Sequence, residues 1–208
     1  MNSLFTQKIG SAACAVLFGL AIVSPSPTVA SPPMRPQSVV NPAWVSDASL
    51  VATLGPEVAV AGYRMRLPVG YTADLKKDQT EGAMKAKFFS LHRADNMPAT
   101  FVPTMFVMAL SFPPSDVPST AAQVMDGDGY IHGKPGLVKN SPQAGRVNGL
   151  KAVRQYFKFL GADGHERHGF HYVVMDGAKR SLIVVMDEEP YSKTSLPLAE
   201  ASVLTVRK

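Results

Sequence analysis

Two apolar segments joined by an Asp-Gly turn place the tightest constraint on how this chain folds. Gly169–Met175 and Arg180–Met186 are rich in β-branched and aromatic residues, and Asp176-Gly177-Ala178-Lys179 lies between them. An Asp-Gly pair between two apolar runs predicts a β-hairpin, because glycine accepts the positive φ that the turn requires. The second run hardly alternates between apolar and polar residues, so we expect it inside a sheet with both faces covered.

Four further segments show strand patterns, and together with the hairpin they predict about six strands. They are Ala59–Leu67, Ala83–His92, Phe101–Phe112 and Lys151–Phe159. In the last of these, Val153, Phe157 and Phe159 share one face with Gln155, whereas Arg154, Tyr156 and Lys158 share the other with Ala152, as in a half-buried strand. Asp74–Glu81 is predicted to be a charged loop, and Lys134–Val147 is also predicted to be a loop. Val45–Gly55 fits either a short helix or a strand.

Helices are expected in two places between and after these strands. Ser119 or Thr120 is a suitable N-cap for a helix through Met125, and a second short helix is possible over Tyr130–His132. Near the C-terminus, Ser195 is a candidate N-cap for a helix over Leu198–Leu204, with Pro197 in its first turn. Because strands follow one another through short loops, the predicted fold is α+β: a largely antiparallel sheet with helices packed over it.

The N-terminal region predicts export. Lys8 precedes the uncharged apolar run Ile9–Val23, and Thr28-Val29-Ala30 offers small residues for cleavage, so residues 1–30 form a signal peptide. An uncleaved anchor is the alternative, although a membrane span needs about 20 apolar residues. The Pro-rich residues 31–43 form a tether, or else a terminus without a role of its own, and residues 44–208 form a single domain. We therefore expect a periplasmic or extracellular protein.

Composition limits the chemistry of the mature chain. The full sequence has one cysteine, Cys14, which leaves with the signal peptide, so disulfides and thiol chemistry are excluded in the mature chain. Without Lys8 the chain carries 20 basic against 16 acidic residues. This mild excess does not indicate a nucleic-acid-binding protein, and the basic and aromatic face formed by Arg154, Tyr156 and Lys158 is interpreted as a solvated strand face.

Three of the five histidines lie close together in His165-Glu166-Arg167-His168-Gly169-Phe170-His171. As a metal site, this segment would use His165, His168 and His171, with Glu166 as a possible fourth ligand. The helical zinc motif His-Glu-x-x-His is incomplete, because Gly169 occupies the place of its second histidine. If the segment is extended, His168 also points away from the other two. A polar loop that enters the hairpin is the alternative interpretation.

Other local motifs have simpler explanations. Asp126-Gly127-Asp128-Gly129 resembles the start of a calcium loop, but Leu137 stands where the bidentate glutamate belongs, so a helix end is predicted. The acidic run Asp187-Glu188-Glu189 is expected to be a solvated turn. No complete nucleophile elbow, phosphate loop or dinucleotide fingerprint occurs in the sequence.

The order of elements resembles the α/β/α sandwich of the PsbP-like superfamily, which also includes bacterial DcrB-like envelope proteins. The resemblance covers residues 57–207 and is carried by short motifs. These are the strand and turn Gly62–Tyr71, the strand start Val147-Asn148-Gly149-Leu150-Lys151-Ala152-Val153-Arg154, the hairpin that begins at Tyr172–Asp176, and the closing segment Ala201–Arg207. The group shares no catalytic constellation, and several members act as binding or assembly factors. The resemblance thus implies a fold and says little about chemistry.

We expect a non-enzymatic envelope protein that binds a protein partner or a small ligand through a sheet face or groove, without a cofactor. Membrane contact is expected only through an uncleaved N-terminal segment. The first alternative is a metal-dependent hydrolase that uses the His165–His171 cluster. The second is a purely structural domain in a larger envelope assembly.

Overall fold

A computed structural model of the protein describes residues 42–81, 83–93, 103–113, 121–126 and 131–208. The predicted signal peptide lies outside these residues, and so does the predicted tether except for Pro42 and Ala43. Among the described residues, ten strands and three helices are seen. The strands are β1 (Leu54–Val60), β2 (Tyr63–Pro68), β3 (Tyr71–Glu81), β4 (Met84–Arg93), β5 (Thr104–Ser111), β6 (Val138–Lys139), β7 (Gln143–Val147), β8 (Leu150–Leu160), β9 (Glu166–Asp176) and β10 (Lys179–Glu188); the helices are α1 (Ala48–Ala52), α2 (Ala121–Asp126) and α3 (Ser192–Val203).

The predicted hairpin is the centre of the large sheet. β9 and β10 pair without interruption from Lys179 opposite Asp176 to Glu188 opposite Arg167, and Gly177 has φ of 56° in the turn. The sheet is antiparallel, with strand order β3-β4-β5-β10-β9-β8-β6 and with β7 also paired to β8. β10 thus lies between two strands and is buried on both faces, as its continuous apolar sequence predicts.

Two hydrophobic cores cover the two faces of this sheet. On one side, here called the α3 face, Phe170, Tyr172 and Val185 pack with α3 and with the separate hairpin β1–β2. On the opposite side, the α2 face, Phe157, Val173 and Val184 pack with α2 and with Ile131. Alternate residues of each strand supply alternate faces. The result is a sheet between two layers, and the predicted α+β class is confirmed.

The sheet has more strands than the sequence predicts. Asp74–Glu81, expected as a loop, is part of the edge strand β3, whose only strand partner in the described structure is β4. The segment expected as one strand, Ala59–Leu67, is instead a hairpin that turns at Ala61-Gly62. Val45–Gly55 contains both α1 and the start of β1. β3 escaped recognition because an edge strand exposes charged residues and needs no apolar alternation.

The C-terminal helix begins three residues before the expected N-cap. Ser195 is buried inside α3, which starts at Ser192 and packs Ala199, Ala201 and Val203 against the sheet. The Ser202 hydroxyl donates a hydrogen bond to the carbonyl oxygen of Arg66 in β2 at 2.5 Å. The predicted helix through Met125 is confirmed as α2, whereas Ile131–Gly133 form a turn and Tyr130 lies outside the described residues.

Candidate functional site

The three histidines of the predicted metal site do not converge. His165 is exposed just before β9, whereas His168 and His171 lie three residues apart within that strand and face opposite sides of the sheet. His171 is fully buried, and its ring centroid lies 4.8 Å from that of Phe157. Within the described residues, no group of three or more His, Cys, Asp or Glu side chains is placed to hold a metal ion. The metal site stays a prediction.

Glu166, the possible fourth ligand, belongs to a surface ion-pair network. Its carboxylate accepts hydrogen bonds from Lys158 Nζ at 3.1 Å and from His168 Nε2 at 2.7 Å. The Lys158 bond, followed by that of His168, lowers the pKa of Glu166. Gly169, where the zinc motif would need its second histidine, lies under Phe157, and a Cβ there would be 2.5 Å from the Phe157 ring. The strand therefore requires glycine at this position for packing.

A polar cluster that the sequence interpretation missed lies on the α3 face, centred on Glu200 of α3. Glu200 Oε1 accepts hydrogen bonds from the hydroxyl of Tyr172 at 2.5 Å and from that of Tyr156 at 2.7 Å. Arg154 Nη1 lies 3.3 Å from the same oxygen, and Arg154 Nε donates to Gln143 Oε1 at 2.9 Å. Arg154 and Tyr156 share a face as predicted, but α3 covers them. The predicted solvated face is thus half-buried at Arg154 and Tyr156, whereas Lys158 is exposed as predicted.

Trp44 closes this cluster from the N-terminal side. Its ring lies 4.7 Å from the Arg154 guanidinium carbon and meets the Tyr172 ring edge-on at 5.5 Å. Such a cation–π contact on a half-buried arginine contributes about 0.5–2 kcal/mol. The cluster therefore ties three separate parts of the chain together: the segment before α1, the strands β8 and β9, and α3.

The electrostatics of this cluster indicate a structural role. Burial, followed by the hydrogen bond to Glu200, raises the pKa of Tyr156 to about 12. Burial and the charge of Glu200 raise the pKa of Tyr172 further above its ordinary value. Both phenols stay protonated near neutral pH and act as hydrogen-bond donors. General acid–base catalysis favours groups whose pKa lies near the working pH, so this cluster is suited to holding α3 in place.

A groove at one end of the α3 face is the best candidate for a binding site. It has a volume of ≈ 360 Å³ and lies between the turn after β2, the starts of β3 and β5, and the first turns of α3. We call it the α3 groove and define it by its lining residues, which are Thr53, Pro68, Val69, Tyr71, Arg93, Pro103, Thr194, Ser195 and Leu198. Its size falls within the range of known small-molecule sites, which are mostly apolar with a few polar groups.

Two buried polar atoms, one in this groove and one close to it, have no hydrogen-bond partner in the described structure. Ser195 is 5% exposed, and its Oγ makes no hydrogen bond. Asp187 is 9% exposed; its Oδ1 accepts from the Glu188 backbone N–H at 2.9 Å, and its Oδ2 makes no hydrogen bond. Since Met186 pairs with Thr104, the register places Asp187 beside Pro103, a residue of the groove.

Tyr71 connects the groove to this buried carboxylate. Its hydroxyl donates to the Pro103 carbonyl oxygen at 3.3 Å. Burial, followed by the nearby charge of Asp187, raises the pKa of Tyr71 well above its ordinary value. Tyr71 therefore stays neutral and contributes its ring to the groove, while its O–H is used by the Pro103 carbonyl oxygen. The groove thus offers apolar side chains, an aromatic ring and the unpartnered hydroxyl of Ser195, which together suit recognition of a small ligand.

Sequence and structure comparisons give different results for this chain. No protein-family model matches it, and no curated protein sequence matches it. The solution structure of cyanobacterial PsbP (CyanoP) from Synechocystis sp. PCC 6803 is similar to it, with a TM-score of 0.54 and 16% sequence identity over 74% of this chain and 92% of that chain. LpqN, described as involved in cell envelope biogenesis of Mycobacterium tuberculosis, gives a TM-score of 0.41 and 13% identity over 74% of this chain and 100% of that chain.

The fold thus defines an α+β protein with a helix packed on a large antiparallel sheet. More specifically, the chain has a PsbP-like fold, which confirms what the short sequence motifs implied. At 16% identity this likeness concerns the fold alone. Within the described residues, no helix has both the length and the apolar character needed to cross a membrane.

Proposed function

We propose that the protein is an exported, non-enzymatic binding module that holds a small amphipathic ligand in the α3 groove. The single observation that carries this proposal is the unpartnered hydroxyl of Ser195 in a groove that Val69, Leu198 and two prolines line together with Thr53, Arg93 and Thr194. A buried polar atom that lacks a hydrogen bond costs about 1–3 kcal/mol, so folded proteins rarely leave one unless a ligand or water completes it.

The groove specifies the chemistry of the ligand. Val69, Leu198 and the two prolines favour an apolar body, because burying apolar surface is the main favourable contribution to binding in such sites. The Ser195 hydroxyl lines the groove and has no hydrogen-bond partner there, so the buried end of the ligand carries a hydrogen-bonding group such as an amine or a hydroxyl. A ligand that is apolar throughout would leave this hydroxyl unsatisfied.

The predicted signal peptide and tether support the export of the domain, which is part of this proposal. A signal peptide in residues 1–30 would deliver the domain outside the cytoplasm, and the tether would separate it from any surface to which it is attached. A thiol-free domain suits an oxidising compartment, since it has no free cysteine to react there. Binding small molecules in this compartment requires no catalytic residues, only a preformed groove.

N-Phenyl-1-naphthylamine, an uncharged dye that carries one N–H donor and fluoresces in apolar surroundings, tests whether the groove binds amphipathic molecules. We expect it to bind the purified protein, and we expect Val69→Glu to weaken that binding about tenfold by placing a charge on the groove wall. Val69 is 69% exposed, so this substitution leaves the core intact. The matched control is Val138→Glu, because Val138 is 53% exposed on β6, at the far edge of the sheet.

Equal dye affinity in wild type and both variants would contradict the proposed site. Native mass spectrometry of the protein isolated from its own envelope fraction then identifies the occupant. A bound species of low mass that is lost in Val69→Glu supports a small ligand, whereas a stoichiometric polypeptide would replace the ligand by a protein partner. Turnover by the purified protein in a hydrolase screen would refute the non-enzymatic assignment.

A further inference from the structure

A second groove, at the other end of the α3 face, is lined by lysines. It has a volume of ≈ 330 Å³ and lies between the turn that joins β1 to β2 and the strands β4, β5 and β10. α3 does not line it. We call it the basic groove and define it by Lys85, Lys87, Phe89, Ser111, Lys179 and Ser181.

Strand register brings the lysines to one side of the sheet. Lys85 and Lys179 each pair with Ser111, one from β4 and the other from β10. They therefore flank Ser111 in one row, with their Cα atoms roughly 10 Å apart, since neighbouring strands lie about 4.8 Å apart. Lys87 follows two residues after Lys85 and so faces the same side. Three long, flexible ammonium side chains can thus reach a single small anion between them.

The charge of this groove is incompletely neutralised. Lys85 and Lys179 are exposed, and neither forms an ion pair within the part of the chain that the structure describes. Lys87 pairs with Asp78 at 3.0 Å, but both side chains are about half exposed, and such pairs are weak. Asp176, the nearby acidic residue at the hairpin turn, is occupied by Lys208 at 2.8 Å. The groove is therefore a local region of positive potential.

Hydroxyl groups complete the set of donors. Ser181 is 3% exposed and lines the groove next to Lys179 on the same face of β10, where its hydroxyl also interacts with that of Tyr63. Ser111 lies between the two free lysines and is half-buried. Serine hydroxyls donate one hydrogen bond each, and ammonium groups donate three. Phe89 adds an apolar wall beside these donors, so the groove has both a charged and an apolar part.

We propose that the basic groove binds a phosphate group, free or as a phosphate ester whose attached carbon chain lies against Phe89. Lysines bind phosphate as point charges, and charge-assisted hydrogen bonds to phosphate oxygens are stronger than neutral ones. Three cationic side chains favour a dianion over a singly charged carboxylate. This site is separate from the α3 groove, so neither proposal depends on the other.

Titration of the purified protein with inorganic phosphate at constant ionic strength tests the site directly. In ¹H–¹⁵N NMR spectra we expect shifts that are centred on the amides of Ser111, Lys179 and Ser181. We expect Lys85→Gln and Lys179→Gln to weaken binding about threefold each, and the double variant about tenfold, given the modest strength of exposed charge pairs. Raising the salt concentration from about 0.05 M to about 0.5 M should weaken it further.

The matched control is Lys151→Gln. Lys151 is an exposed lysine that precedes Ala152 in β8 and therefore lies on the α2 face, so its removal lowers the net charge equally without touching the groove. An equal loss of affinity in Lys151→Gln would refute a specific site. Shifts scattered over many lysines would also refute it.

A second arm distinguishes a free phosphate from a lipid headgroup. Vesicles of phosphatidylglycerol are compared with vesicles of phosphatidylcholine in a sedimentation assay. Binding to the anionic vesicles that falls in the Lys85→Gln, Lys179→Gln double variant supports a lipid source, whereas a loss limited to inorganic phosphate supports a soluble one. If the double variant binds both inorganic phosphate and the anionic vesicles as tightly as wild type does, the proposal is wrong.

Discussion

The ring of Trp44 lies so close to Gly145 that a Cβ on this glycine would be 2.5 Å from ring atoms Cε2 and Cζ2. Trp44 donates its backbone N–H to the Arg146 carbonyl oxygen at 2.9 Å, and the Arg146 N–H donates to the Pro42 carbonyl oxygen at the same distance. Residues 42–44 thus extend the sheet beside β7. The segment that follows the predicted tether is held by backbone hydrogen bonds and by the aromatic contacts of Trp44.

Gly145→Ala should displace Trp44 and destabilise the domain. The added methyl group overlaps the ring, and overpacking of this kind costs about 1–3 kcal/mol. Urea unfolding measures the loss in the free energy of unfolding. Trp44 is the single tryptophan of the chain, so a red shift of the intrinsic fluorescence of the folded protein would report its exposure directly.

A double-mutant cycle provides the control for this prediction. If the Trp44 ring causes the cost, Gly145→Ala should destabilise Trp44→Ala protein by less than half as much as it destabilises wild type. An equal loss in both backgrounds would attribute the effect to the Pro42 carbonyl oxygen instead, which would lie 2.8 Å from the same Cβ. It would also show that contact with the Trp44 ring is not the cause of the cost.

Glu200→Ala should loosen α3 and the N-terminal segment together. The substitution removes the acceptor of Tyr156, Tyr172 and Arg154, and the loss of such a partly buried network costs about 2 kcal/mol. Urea unfolding gives the change in the free energy of unfolding. Lys193→Ala on the same helix should cost no more than about 0.5 kcal/mol, because it removes only an exposed ion pair with Glu189. Similar effects of the two substitutions would contradict the importance of the cluster.

Sequence patterns predicted the centre of the fold better than its periphery. Continuous apolar runs and an Asp-Gly turn determine β9 and β10 locally, so the hairpin was predictable. β3 was not, because edge strands lack an apolar pattern. The Glu200 cluster could not be found in this way either, since Glu200 is 46 residues from Arg154 and 28 from Tyr172. The strand pattern of β8 placed Arg154 and Tyr156 on one face but could not reveal that a helix covers it.

Metal analysis decides the histidine prediction. Because His168 and His171 face opposite sides of β9, we expect protein purified without chelator to contain far less than one zinc ion per chain. We also expect His168→Ala to leave that content unchanged, as measured by elemental analysis. Near-stoichiometric zinc that disappears in His168→Ala would instead establish the site and revive the metal-dependent hydrolase hypothesis.

Alkaline pH should destabilise the protein through its buried phenols. Tyr156 has a pKa of about 12 in the folded protein against an ordinary value of 10.0, so the folded state holds this proton more tightly than the unfolded state does. Its contribution to stability is fully present below pH 10 and is lost as the pH rises towards 12. Thermal midpoints measured between pH 9 and pH 12 should therefore decline. The decline should be shallower in Tyr156→Phe than in wild type, because this variant no longer carries the phenol. Tyr191→Phe, which removes a phenol outside the cluster, is the control and should decline as wild type does. Equal slopes in all three proteins would contradict the assignment.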